Sequence, residues 1–194
     1  CFHNRYFESP IGRQEPIPGY WWGSFGWRAG ANTPTREHFL EYYAQALNAF
    51  DAGLIASGGF TVGTVGHDRE VGRFARALRA LPNAYFQPHP ASVEPLAIRH
   101  ASLDGKGYFY LLNTSGAELE VRLALADAGE VHPLSPDTRL NVSLSELAGT
   151  LAPYELAAYE CDSPEPKLGP AQVTLPDWQL SRLQARLEDL RALA

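Results

Sequence analysis

The sequence has no methionine, and only two of its 194 residues are cysteine. With Cys1 as its first residue and no methionine, it predicts a chain that begins inside a longer translated product. Cys1 and Cys161 are too few for a disulfide scaffold, and no C-x-x-C or Cys/His spacing of a zinc site surrounds them, so no metal is expected. Their own pairing stays open. No run approaches the roughly 18 apolar residues that a spanning helix needs, and no basic-then-apolar leader opens the chain. The chain therefore reads as soluble, without membrane partners, in a compartment left open, secreted or periplasmic included. Basic charge is also short: 16 Lys and Arg against 22 Asp and Glu give a net charge of -6. Such a field repels phosphate backbones, so nucleic acid is not an expected partner. No G-K-[ST] phosphate loop, G-x-G-x-x-G turn or G-x-S-x-G elbow occurs, and no cofactor is expected.

What is present is enough for a globular chain: 45% of the residues are apolar, which allows one large domain or two small ones. Asn113-Thr114-Ser115 and Asn141-Val142-Ser143 match the N-glycosylation acceptor, a triplet that also arises often by chance.

Residues 1–8, "CFHNRYFE", read as a short strand with Phe2, Tyr6 and Phe7 before Ser9-Pro10. Residues 9–32 are rich in Pro and Gly, have no period, and are long for a passive connection. Thr33 as cap and Pro34 in the first turn then start a helix with Phe39, Tyr43, Leu47 and Phe50 on one face, ended by Gly53. "LIASGGF" (54–60) has the apolar run of a buried strand. A second helix carries Val71, Phe74, Leu78 and Leu81 and stops before Pro82. This order predicts parallel α/β units.

From about residue 92 the pattern changes to strands: "PLAIRHA", "GYFYLLN", "LEVRLALA" and "YELAAYE", with Asp104-Gly105 and Ser115-Gly116 as turns. Their spacing predicts a small antiparallel sandwich. Asp162–Pro170, with three prolines, reads as a linker. A final helix follows, with Thr174 and Asp177 as a capping box and Leu180, Leu183, Leu187 and Leu190 as a stripe that docks on something.

An α/β segment whose last helix ends in "RALP" and passes into "IRH", "GYFYLLNTSG", "LEVRLAL" and "LAPYELAAYE" resembles the C-terminal portion of a glycoside hydrolase. In many of these enzymes a (β/α)8 barrel precedes an antiparallel β-sandwich. The resemblance implies α/β plus all-β architecture in three parts: the last two βα units of a barrel (1–90), a β-sandwich (91–162), and a Pro-rich linker with an amphipathic helix (163–194). Residues 1–8 would be the seventh barrel strand, 33–52 its helix, 54–60 the eighth strand and 67–81 the last helix.

Three of the four tryptophans lie in "PGYWWGSFGWRAG" (18–30). Sugar rings expose C–H faces that pack on flat aromatic surfaces, so Trp21, Trp22 and Trp27, with Arg28 or Ser24 donating to hydroxyls, form the candidate carbohydrate-binding set. The alternative is that these rings merely cover apolar area. Glu8 ends the first strand where barrel enzymes carry catalytic groups, and the resemblance implies a nucleophile there. The alternative is a solvated carboxylate or a pair with Arg5 or Arg13. Glycoside hydrolysis needs two carboxylates, and the strand that carries the second in the resembled enzymes is absent here. Glu15 or Asp51 could in principle serve, but Glu15 is in the loop and Asp51 at the wrong end of its helix, so the chain alone is expected to be inactive or incomplete.

"GGFTVGTVGHD" (58–68) could present backbone N–H groups to an anion, but His67 and Asp68 read first as helix-capping residues. Arg69, Arg73, Arg76 and Arg79 read as the solvated face of their helix. The leading expectation is the C-terminal part of a carbohydrate-active hydrolase, with carbohydrate and the rest of the barrel or another chain as partners. The alternatives are a non-catalytic carbohydrate-binding module and an assembly subunit joined through the leucine helix.

Overall fold

The computed structural model describes residues 2–4, 40–55 and 68–193. In chain order these form β1 (Phe2–Asn4), α1 (Glu41–Phe50), β2 (Ala52–Ile55), α2 (Asp68–Ala80), β3 (Gln87–Pro88), β4 (Leu96–Leu103), β5 (Lys106–Asn113), β6 (Leu119–Asp127), β7 (Val131–Pro133), β8 (Leu140–Val142), β9 (Glu146–Leu151), β10 (Leu156–Cys161), β11 (Lys167–Thr174) and α3 (Asp177–Leu193). Helices, a short β pair and two larger antiparallel sheets give the expected mixture of α/β and all-β parts.

The two larger sheets have strand orders β3-β4-β5-β10-β7 and β11-β6-β9-β8. In β6 the pattern is simple: Leu119, Val121, Leu123 and Leu125 are buried, while Glu120 and Arg122 are exposed, as a sheet with one wet face requires. In β5 both faces are covered. Phe109 and Leu111 meet Leu119, Val121, Leu123 and Leu147 between the sheets, while Tyr110 and Leu112 meet Leu47, Phe74 and Leu78 of the helices. The five-stranded sheet is thus the middle of three layers, which explains why "YFYLLN" is continuously apolar rather than alternating.

The helices differ from expectation in their ends. Helix α1 stops at Phe50, before Gly53, because Asp51 itself takes the left-handed conformation (φ 46°, ψ 47°) and returns its N–H to the Leu47 carbonyl at 2.9 Å. Asp is one of the few residues other than glycine that adopt this geometry readily. Gly53 lies within β2 instead. On α2, Phe74 and Leu78 are buried with Leu81 just beyond, as the spacing predicts, while Val71 is only partly buried and Ala77 joins the same face; Arg76 on the wet face pairs with Asp137 at 2.6 Å. Thr33, Pro34, Phe39, residues 56–60 and His67 lie outside the described residues.

The parallel α/β expectation is corrected at β1 and β2, which pair antiparallel, with Phe2 opposite Ile55 and His3 opposite Leu54. Apolar patterning decides which face a residue takes and is the same for both strand directions, so it could not distinguish them.

The linker expectation is corrected too. Lys167–Thr174 is a strand paired with β6, with Val173 opposite Val121 and Ala171 opposite Leu123. The segment before it is held as well: Asp162 and Ser163 donate to the carbonyls of Glu130 and Ala128. Gly107 is the reason it fits, since a methyl there would lie 2.7 Å from Cys161 Sγ and collide with the Ser163 carbonyl. Pro170 falls in the register gap between Leu168 and Ala171 on an edge strand, where its missing N–H interrupts no ladder. The sandwich therefore continues past residue 162.

Helix α3 begins at Asp177, and the N–H groups of Gln179 and Leu180 both bond to the Pro176 carbonyl. The Thr174 hydroxyl donates to Glu120 Oε2 rather than capping the helix. Beyond the buried Gln179, every residue through Ala192 is exposed.

Candidate functional site

The residues singled out from sequence, Glu8, Trp21, Trp22, Trp27 and Arg28, lie outside the described residues, as does Glu15. Asp51, the other candidate second carboxylate, is fully buried. Its Oδ2 accepts the Phe86 N–H at 2.9 Å, and its Oδ1 accepts the Tyr110 hydroxyl at 3.3 Å. Arg99, also buried, donates through Nη1 to the Phe86 carbonyl at 2.9 Å and through Nη2 to the Asn48 carbonyl at 2.6 Å. Both backbone groups of Phe86 are thereby tied down. The guanidinium also sits at the last carbonyls of α1, where a cation meets the negative end of the helix dipole. The tyrosine and phenylalanine rings pack 5.3 Å apart beside this network. No substrate reaches such a carboxylate; Asp51 joins the end of α1 to the sandwich.

Asn113 is equally structural. Its Nδ2 donates to the carbonyls of Ala117 at 2.6 Å and Ala152 at 2.8 Å, and its Oδ1 accepts from the N–H and hydroxyl of Ser115. The first sequon is thus a buried turn lock, whereas Asn141 of the second is exposed. Cys161 is a free, buried thiol whose pKa is pushed up to about 11 by burial first and then by Asp162 and Glu160. It is not a reactive nucleophile.

Open surface chemistry gathers elsewhere. A groove of about 990 Å³ runs between Tyr85–Ala91, the end of β4 and the Glu165–Pro170 segment. Alternation along β4 puts His100 and Ser102 on the same face as Leu96 and Ile98, the face that makes the inter-sheet core. The core row turns polar where the register of β11 shifts between Leu168 and Ala171. There the sandwich opens into the groove. The Ser102 hydroxyl donates to the Pro164 carbonyl across one end of it.

The His89 and His100 rings meet edge to face, 5.0 Å apart at 84°. Burial lowers the pKa of His89, and the neighbouring His100 lowers it further. Burial also lowers that of His100, opposed by the Glu165 carboxylate. Burial thus favours the neutral form of both rings. His89 Nδ1 accepts the Ala91 N–H at 3.1 Å, which puts the ring proton on Nε2. Nothing in the linear order joins His89, His100 and Glu165. The one available signal was a histidine at an inward-facing strand position, two residues beyond Ile98.

A second, smaller cavity of about 190 Å³ lies where α2 meets the loop before β10, lined by Arg73, Arg139, Glu70 and Glu155. The Glu155 carboxyl is raised by burial, against the Ala152 N–H that it accepts at 2.7 Å and the nearby Arg139 and Arg73. Arg73 is thus half-buried rather than on the wet face with Arg69, Arg76 and Arg79. Among the described residues no group of three or more His, Cys, Asp or Glu is placed to hold a metal ion, and no helix is long and apolar enough to cross a membrane. Comparison with known proteins finds no matching family model and no matching curated protein.

Proposed function

We propose that the chain is the C-terminal part of a carbohydrate-active glycoside hydrolase, in which the sandwich braces the catalytic part and the aromatic loop contributes to the sugar-binding face. The single observation that supports this best is the joint at Phe86. A sheet that carries helices on its outer face, fastened by a buried carboxylate and a buried guanidinium, suits a module that holds a neighbouring layer in fixed orientation. Glu8 is the proposed nucleophile, and Trp21, Trp22, Trp27 and Arg28 the proposed sugar contacts. The second carboxylate belongs to sequence outside this chain or to another chain. Adjacent barrel strands run parallel and β1 and β2 do not, so no barrel is proposed, and Glu8 is retained only as a carboxylate next in sequence to the aromatic segment.

The test is hydrolysis of a panel of polysaccharides and aryl glycosides by the product of the whole gene. The reading expects activity that Glu8→Gln lowers by about a thousandfold or more, as removal of a reacting group does. Activity unchanged by Glu8→Gln removes the catalytic assignment, and no hydrolysis across the panel removes the enzyme reading.

One observation favours an assembly role besides. Leu180, Leu183, Leu187 and Leu190 are 41–57% exposed along α3, at the spacing of a helix–helix seam. If the seam joins chains, sedimentation shows concentration-dependent association that Leu183→Asp with Leu187→Asp abolishes. A monomer at high concentration ends this reading.

A further inference from the structure

We propose that the groove at the open edge of the sandwich, between His100 of β4 and the Glu165–Pro170 segment, is a second binding site, for a neutral oligosaccharide. The choice of ligand class rests on the carbohydrate reading above; the existence of the site does not.

The first argument is placement. Positions 96, 98, 100 and 102 of β4 share one face, and the first two are core leucine and isoleucine. Continuing such a row with apolar residues would close the edge of the sandwich. Here the row continues as His100 and Ser102, and the groove they line is bounded on its other side by Glu165–Pro170, where the register of β11 is irregular. The resulting space, about 990 Å³, is at the upper end of small-ligand sites, which run roughly 300–1,000 Å³.

The second argument is chemistry. Among the described residues of the lining the one standing cation is Lys167, which shares its charge with Asp127 at 3.2 Å, and burial favours the neutral form of both imidazoles, so the groove holds little net charge for an anion. Among the described residues a cation meets Glu165 as the one carboxylate on the lining, without a cluster of three or more His, Cys, Asp or Glu to hold a metal. An apolar ligand would strand the polar edges of two imidazoles. Sugar hydroxyls, each both donor and acceptor, match what remains. His89 Nε2–H donates, a neutral His100 offers one donor and one acceptor, and Glu165 and Gln87 supply acceptors and a donor. The groove is open to solvent, so the ligand is a chain segment rather than an engulfed monosaccharide.

The experiment follows the imidazole Cε1–Hε1 NMR signals of His89 and His100, assigned by His→Gln variants. The intact chain is titrated separately with maltohexaose, cellohexaose, xylohexaose, mannohexaose and inorganic phosphate. The site predicts that at least one hexaose shifts both signals saturably and that phosphate shifts neither. His100→Gln should weaken binding about tenfold, the effect of losing one or two hydrogen bonds. Gln87→Trp, on the exposed edge strand β3, should fill the groove and abolish the shifts without disturbing the fold. The proposal is overturned if no hexaose moves the signals at about 10 mM, if phosphate moves them instead, or if Gln87→Trp leaves the shifts intact. Saturable groove binding in a gene product without glycosidase activity would end the hydrolase reading alone. Hydrolysis with a silent groove would end this proposal alone.

Discussion

The two faces of the five-stranded sheet are held by different means. Toward the second sheet the contacts are almost wholly apolar: Leu96, Ile98, Phe109 and Leu111 against Leu119, Val121, Leu123, Leu147 and Leu151. Toward the helices the apolar contacts of Leu47, Phe74, Leu78 and Tyr110 surround a buried Asp51 and Arg99. Apolar packing supplies the larger free energy but is tolerant of small shifts. A buried carboxylate and guanidinium that each require particular backbone partners give less stability and more specificity of orientation. The inter-sheet face keeps the sandwich folded, while the helix face fixes how α1 sits upon it.

The largest effect should come from emptying the apolar side. Phe109, fully buried and stacked 5.2 Å from Tyr159, should lose about 3–5 kcal/mol of stability as Phe109→Ala, read by urea denaturation. Asp51→Ala leaves the Phe86 N–H buried without an acceptor and should lose about 2–3 kcal/mol. Its signature differs from that of Phe109→Ala: hydrogen exchange should quicken in α1 and at Phe86 but not in β6 and β9. Uniform quickening would mean that the joint is not separable from the core. Gly149→Ala should cost about 2 kcal/mol, because Gly149 has φ 149° and an added methyl would lie 2.6 Å from the Arg139 carbonyl oxygen. That loss should appear in the sandwich alone.

The groove should show in the pH dependence. The folded pKa values of His89 and His100 lie below the ordinary 6.5. Well above pH 6.5 both are neutral in the folded and unfolded chain and contribute no slope. As the pH falls through 6.5 the unfolded chain takes up protons first, so stability declines until the folded histidines also protonate. Glu165 reduces this for His100, and His89→Gln should flatten part of the acid limb. The smallest effect belongs to the surface. Arg76→Ala, which removes a pair with Asp137 that is half exposed on the arginine side, should change stability by no more than about 1 kcal/mol.

What was legible in sequence follows the same division. Alternation in "LEVRLAL" reports a one-sided strand, and the unbroken "YFYLLN" reports a strand covered on both faces. Both depend only on apolar period. Strand direction at β1 and β2 leaves no trace in that period. The pairing of β11 was hidden because prolines at 164, 166 and 170 are as compatible with an edge strand as with a linker, and Gly107, which admits Ser163, is distant in sequence. The role of Asp51 was hidden for a related reason: its acceptor duty is to Phe86 and Tyr110, 35 and 59 residues away. His100 could have been noticed as a polar residue in a core row. His89 and Glu165 carry no local signal at all.

The most direct measurement is hydrogen exchange at the Phe86 amide. If Asp51 seals the joint between α1 and the sandwich, this amide is protected to the same degree as Leu123 in the inter-sheet core, and Asp51→Ala removes that protection while sparing Leu123. An amide that exchanges at the rate of an exposed loop in the unaltered protein would contradict the account.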